Sequence, residues 1–114
     1  MKNLIFTFLF LVFFANGILS QNNIIGTVWS IDNAGKNLIY LVGKDIFIVM
    51  DPENGVIYKG YEKRTWTYLD KKIIFNNSGT ILTGELDKSG NNISGIGMNK
   101  YTGETWEWNG KKIE

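Results

Sequence analysis

TWEWNGKKIE, residues 105–114, places two tryptophans two positions apart, with polar residues between and beside them and a lysine pair close behind. A spacing of two puts Trp106 and Trp108 on one face of a β-strand. The same pattern occurs forty residues upstream, where Tyr61, Thr65, Trp66, Lys71, Lys72 and Ile73 match Tyr101, Thr105, Trp106, Lys111, Lys112 and Ile113. Tyr68 there answers Trp108, so both copies read Tyr-x-x-x-Thr-Trp-x-aromatic-x-x-Lys-Lys-Ile. The two units are expected to be structurally equivalent: strands with an inward aromatic pair at similar positions on one sheet. The lysine pairs belong by residue type to solvated turns and strand edges.

Period-two alternation continues outward from this stretch, in runs of about five to eight residues separated by turn chemistry. The reading gives strands near 24–32, 37–43, 45–51, 55–61, 63–69, 71–76, 80–87, 92–99 and 103–109. Between them lie Asn33-Ala34-Gly35, Gly43-Lys44, Asp51-Pro52-Glu53-Asn54-Gly55, Leu69-Asp70-Lys71, Asn76-Asn77-Ser78-Gly79 and Lys88-Ser89-Gly90-Asn91. Residues of these types form tight turns, and several of them tolerate positive φ. No window carries the apolar spacing of a substantial helix. The expected fold is all-β: an antiparallel up-and-down meander of about eight strands that curls into a closed or nearly closed barrel, since a flat sheet would leave long exposed edges. In such a barrel the last strand pairs with the first, which sets TWEWN beside the strand of Trp29.

The N-terminus, MKNLIFTFLFLVFFANGILSQ, has Lys2 followed by an apolar stretch from Leu4 to Ala15. That stretch is shorter than the roughly 20 apolar residues of a membrane-spanning helix, and small residues follow it. Residues 1–20 are therefore read as a cleaved secretory signal, cut after Ser20 or in the neighbourhood of Ala15-Asn16-Gly17, and residues 21–114 as one domain. The expected location is secreted or periplasmic, with no stable membrane insertion after cleavage. Of the twelve basic residues Lys2 leaves with the signal, so the remainder balances its eleven acidic residues. A neutral domain is a poor electrostatic partner for nucleic acid, and none is expected. Exported domains this small often carry disulfides, yet cysteine is absent, so packing and backbone pairing must hold the fold.

Histidine is absent too, which removes the commonest general base and, with cysteine, the usual zinc and copper ligands. Carboxylate pairs for glycoside hydrolysis, Glu104 with Glu107 or Glu85 with Asp87, are available in principle, but the second pair shares an outward strand face. Asp51 to Gly55 has oxygen ligands without the Asp-x-Asp-x-Asp-Gly layout of a calcium loop. No enzyme, metal or cofactor is expected. The aromatic set Trp29, Tyr40, Tyr58, Trp66, Tyr68, Trp106 and Trp108 remains, each large ring burying on the order of 150–250 Å². Either these rings fill the barrel, whose interior in an eight-stranded form is just wide enough for side chains, or some of them contact a ligand in a partly open cup.

A tryptophan near the end of the first strand, repeated Thr-Gly or Gly-x-x-Trp units, the stretch NNISGIGMN at 91–99 and the final Trp-rich strand together resemble small bacterial secreted lipocalin-like barrels, within the wider calycin group. Gly26-Thr27-Val28-Trp29 is one residue longer than the Gly-x-Trp of lipocalins. The resemblance implies an up-and-down barrel holding a small ligand at its open end, with Trp29 as its floor. The expected function is a non-catalytic binding module for a small apolar or amphiphilic molecule. The alternative is a protein-interaction module, such as an inhibitor or envelope-assembly component, acting through loops 51–55 and 99–103 or a strand edge.

Overall fold

Two-residue turns set the register of the meander. Ala34 (φ 55°) with Gly35 (φ 82°), and Asp70 (φ 53°) with Lys71 (φ 69°), both place two consecutive residues at positive φ. This is the turn whose twist matches that of the strands it joins. In the computed structural model, which describes residues 24–114, the strands are β1 (Val28–Asn33), β2 (Lys36–Val42), β3 (Phe47–Asp51), β4 (Val56–Ile57), β5 (Arg64–Leu69), β6 (Lys72–Asn77), β7 (Thr80–Leu86), β8 (Asn92–Asn99) and β9 (Thr105–Lys112). A single 3-10 turn, Tyr61–Lys63, precedes β5. The signal reading of residues 1–20 falls outside the described residues.

All nine strands belong to one antiparallel sheet in the order β4-β3-β2-β1-β9-β8-β7-β6-β5. The last strand pairs with the first, Ile31 opposite Gly110 and Asn33 opposite Trp108. The break in the ring therefore lies between β4 and β5, and the sheet is a curled half-barrel open on that side. One bridge, Ile46 to Thr65, spans the seam.

What curls the sheet is its concave face. Tyr40 of β2 and Phe75 of β6 are five strand spacings apart in the order, about 24 Å in a flat sheet. Their ring centroids lie 5.1 Å apart, edge to face. Phe47 of β3 completes the cluster at 4.9 Å from both, and Trp108 joins Phe75 at 6.1 Å. Around these rings Trp29, Ile31, Val49, Ile73, Leu82 and Ile93 are almost fully buried. The large rings fit because the facing strands carry glycine. A Cβ on Gly84 would sit 2.7 Å from the Trp108 ring and 2.6 Å from Ile93, and one on Gly95 would run into the backbone carbonyl of Thr83.

Three expectations need correction. The run 55–61 yields only a two-residue β4, because Gly60 (φ 80°) turns the chain into the 3-10 turn. β1 starts at Val28 rather than near residue 24, since Gly26 (φ 85°) is in a turn and donates its N–H to Val42. The forty-residue repeat is not a structural repeat. Lys71 sits in the β5–β6 turn and Ile73 is buried in β6, whereas β9 runs straight through Lys111 and Lys112 and leaves Ile113 exposed. Only the aromatic pairs correspond, Trp66 and Tyr68 alternating on β5 as Trp106 and Trp108 do on β9, all four packed on the core.

Two outcomes follow. Deleting residues 103–114 removes the strand that joins β1 to β8 and should abolish cooperative thermal unfolding followed by far-UV circular dichroism; a truncated domain that retains a sharp melt contradicts this role. Gly84→Ala should lower unfolding free energy by about 1–3 kcal/mol through overpacking, measured by denaturant titration, and Gly95→Ala should cost more because it meets backbone instead of a side chain.

Candidate functional site

The seam between β4 and β5 is built from residues at and beside the two edge strands of the sheet. On one side, Tyr58 continues β4 by donating its N–H to Val49 at 3.0 Å, and its ring is half-buried. On the other, Trp66 of β5 is half-buried and donates Nε1–H across the seam to the carbonyl of Gly43 at 3.0 Å. Tyr68, two residues on, is also half-buried and packs on the core. Trp106 comes from the far wall, its Nε1–H held 2.6 Å from Asn33 Oδ1. Of the seven aromatic candidates, these four keep part of their surface open. Trp29, Tyr40 and Trp108 are core: Trp29 donates to Thr27 Oγ1 at 2.8 Å and Trp108 to the Thr83 carbonyl at 3.1 Å.

Below Tyr58 lies Asp51, only 2 % exposed, at the end of β3. Its Oδ1 accepts the backbone N–H groups of Glu53 and Asn54 at 3.0 and 3.3 Å, and its Oδ2 accepts Asn54 Nδ2 at 2.9 Å and the Tyr58 hydroxyl at 3.4 Å. Lys36 pairs with the same oxygen at 3.4 Å. The Asn54 amide, above all, holds the carboxyl below its ordinary range, with its backbone N–H and Lys36 adding to the effect against desolvation. The hydroxyl of Tyr58, then Asp51, holds Lys36 in its charged form to higher pH than usual. The Asp51–Gly55 loop is thus a self-contained turn whose buried carboxylate is fully engaged by the chain's own donors.

The chain's sole arginine, Arg64, occupies the inner end of β5, in phase with Trp66 and Tyr68. It is 9 % exposed. Its Nε donates to Asn77 Oδ1 and its Nη1 to the carbonyl of Lys59, each at 2.8 Å, which fastens the 58–63 linker to the barrel. Near Arg64 and Asn77, from β2, lies the hydroxyl of Tyr40, buried and without a well-formed hydrogen bond among the described residues. Burial pushes its acid dissociation up to about 12, with Asn77 and Arg64 opposing. Sequence reasoning passed over Arg64, although alternation through 64, 66 and 68 puts a cation on the aromatic face, an arrangement that calls for explanation.

The acidic pairs lie elsewhere. Glu85 and Asp87 line an outer groove of about 440 Å³ at the ends of β7 to β9, with Asn92, Ser94, Asn109 and Lys111. Asp87 accepts Ser89 Oγ and Asn92 Nδ2 at 2.7 Å each, and these bonds, the serine first, hold it down to about 2. A general acid needs the opposite displacement. Glu104 and Glu107 are both exposed.

No protein-family model, no curated protein and no solved structure matches this chain.

The Asp51 turn carries a pH prediction. A carboxyl whose folded-state pKa is depressed contributes stability that is present above its unfolded value, about 3.9, and is lost as pH falls through the folded value. Stability should decline below about pH 4, and Asp51→Asn should be less stable at pH 7 with a shallower acid limb. Parallel acid limbs for the two proteins in denaturant titrations across pH would refute the assignment.

Proposed function

We propose that this chain is a non-catalytic binding module, exported from the cell, that holds a small apolar or amphiphilic molecule at the open side of its half-barrel. The observation that carries the reading is the seam itself. Tyr58 and Trp66 stand half-buried on its two sides, with Tyr68 beside them, while the cluster of Tyr40, Phe47, Phe75 and Trp108 behind them is packed ring to ring. A ligand has apolar surface to lie against at the seam and a solid floor beneath it, the usual construction of a small-molecule site. The resemblance to lipocalin-like barrels points to the same use of an open end. Export, to the exterior or the periplasm, rests on the signal-like residues 1–20. The absence of histidine and cysteine and the lowered state of Asp87 support a role without catalysis.

A second reading, protein recognition by strand addition, is favoured by one observation. The outer edge of β5 is engaged by another strand only at Thr65, among the described residues. An exposed edge of this kind is a template for an extended peptide. Crosslinking in an envelope extract that recovers no partner through residues introduced at 67–69 would count against it.

For the first reading, an environment-sensitive apolar dye such as ANS should bind the folded domain saturably at one site and protect tryptophan emission from acrylamide. Trp66→Ala should weaken that site by up to about tenfold, the contribution of one well-placed aromatic contact. Trp66→Phe should retain most of the binding and control for loss of folding. A dye signal that rises linearly without saturation rules the seam site out.

A further inference from the structure

The polar end of the seam does not balance its charge. A buried guanidinium ordinarily stands against a carboxylate, because an unpaired charge in a low-dielectric interior is costly. Arg64 has none. The ion pair present among the described residues is Lys36 with Asp51, and Arg64 is served by two neutral oxygens, Asn77 Oδ1 and the Lys59 carbonyl. An arginine has five N–H donors, so three are left without a protein acceptor among the described residues. Tyr40 independently makes the same point. Its hydroxyl is fully buried beside the Asn77 amide and near Arg64, and makes no well-formed hydrogen bond among the described residues. Leaving a buried hydroxyl unsatisfied destabilises a fold, and phenylalanine would fill the same space without that loss.

Two buried donors without acceptors, brought together from opposite walls, need a group that only accepts, and preferably one with negative charge. The Asn77 amide, whose oxygen is committed to Arg64, leaves its Nδ2 as a further donor. Two residues along β5 and β6 from the Arg64–Asn77 pair, on the same face, lie Trp66 and Phe75. The polar group is therefore bordered by aromatic surface.

We propose that Arg64, Tyr40 and Asn77 form a carboxylate-binding site, and that the molecule held at the seam is an amphiphilic carboxylate whose apolar body lies along Trp66. This deepens the small-molecule reading and rests on it. The planar guanidinium matches the two oxygens of a carboxylate, and the tyrosine hydroxyl supplies a neutral donor. Asp51 shows why the chain's own acids do not serve: the buried carboxylate of the seam region is already saturated by Glu53, Asn54, Tyr58 and Lys36.

The test compares octanoate with octanol, equal in chain length and different in head group, by calorimetric titration into the folded domain. Octanoate should bind at least about tenfold more tightly than octanol, the worth of a charge-assisted hydrogen bond. Tyr40→Phe and Arg64→Met should each reduce octanoate toward the octanol level without changing octanol. Arg64→Lys, which keeps the charge and loses the fork, should fall between. Tyr40→Phe should also melt at the same or a higher temperature than the unsubstituted domain, a gain that excludes loss of folding as the cause of weaker binding. Equal affinity for octanoate and octanol, indifferent to Tyr40→Phe, would overturn the carboxylate site and leave the small-molecule reading standing. Saturable binding of neither compound would remove both.

Discussion

Everything in this domain depends on aromatic rings that meet across the concave face. Backbone pairing holds each strand to its neighbour but does not choose the curvature of the sheet. The contacts of Tyr40 and Phe47 with Phe75 do, because they bring together strands that lie far apart in the pairing order. Without disulfides, and with one β-bridge and the Trp66–Gly43 hydrogen bond across the seam, little else opposes opening. Hydrophobic burial has no directionality of its own. The direction comes from where the glycines lie. Gly84 clears space under Trp108 and Gly95 lets the backbones beside it close up, so the buried ring of the final strand lies down on its neighbours and does not prop the walls apart. Ring and glycine are two halves of one packing solution, which explains how a single domain of this size accommodates four tryptophans.

Much of that architecture was legible in the chain. Nine alternating runs became nine strands, because alternation with turn residues between is a local signal that tertiary contacts reinforce. It failed where local and long-range demands differ. Val56 and Ile57 alternate with their neighbours like strand residues, yet Gly60 diverts the chain before a longer pairing forms. The opposite holds at the other end: Gly110, Lys111 and Lys112 look like a turn, but pairing with β1 and β8 on both sides keeps them extended. The Thr-Trp repeat misled for the same reason. Asp70 and Lys71 accept positive φ and turn, whereas their counterparts Gly110 and Lys111, between two partner strands, do not.

The candidate site was legible in part. Alternation told which face each aromatic side chain takes, but not its depth. Trp108 is buried because glycines lie opposite it on β8 and β7, and Trp66 stays half-open because β5 has no strand beyond it. Depth follows from neighbours forty or more positions away in some cases, and no local window contains them. The polar members of the site were harder still. Arg64 is a charged residue before a Thr-Trp strand, and nothing nearby in sequence indicates that Asn77 and the Lys59 carbonyl take its donors while Tyr40 approaches from β2.

The position of the seam is what links stability to the proposed binding in this molecule. A barrel closed by pairing all round would have no edge and, at about this strand number, an interior just wide enough for its own side chains or one small ligand. Here the first and last strands are joined, and the break is placed at the middle of the chain, where a two-residue strand and a linker replace a full-length partner for β5. The break exposes apolar surface and a strand edge, and both weaken the fold. Along its inner border the chain concentrates its sole arginine, a tyrosine hydroxyl without a partner among the described residues and two partly open aromatic rings, whereas the buried cluster around the Asp51 carboxylate is complete. Random imperfection would scatter such groups over the core. Their gathering on one side of one opening is the pattern expected when local stability is traded for a site, since strain and unsatisfied polar groups in a native fold collect where function needs them.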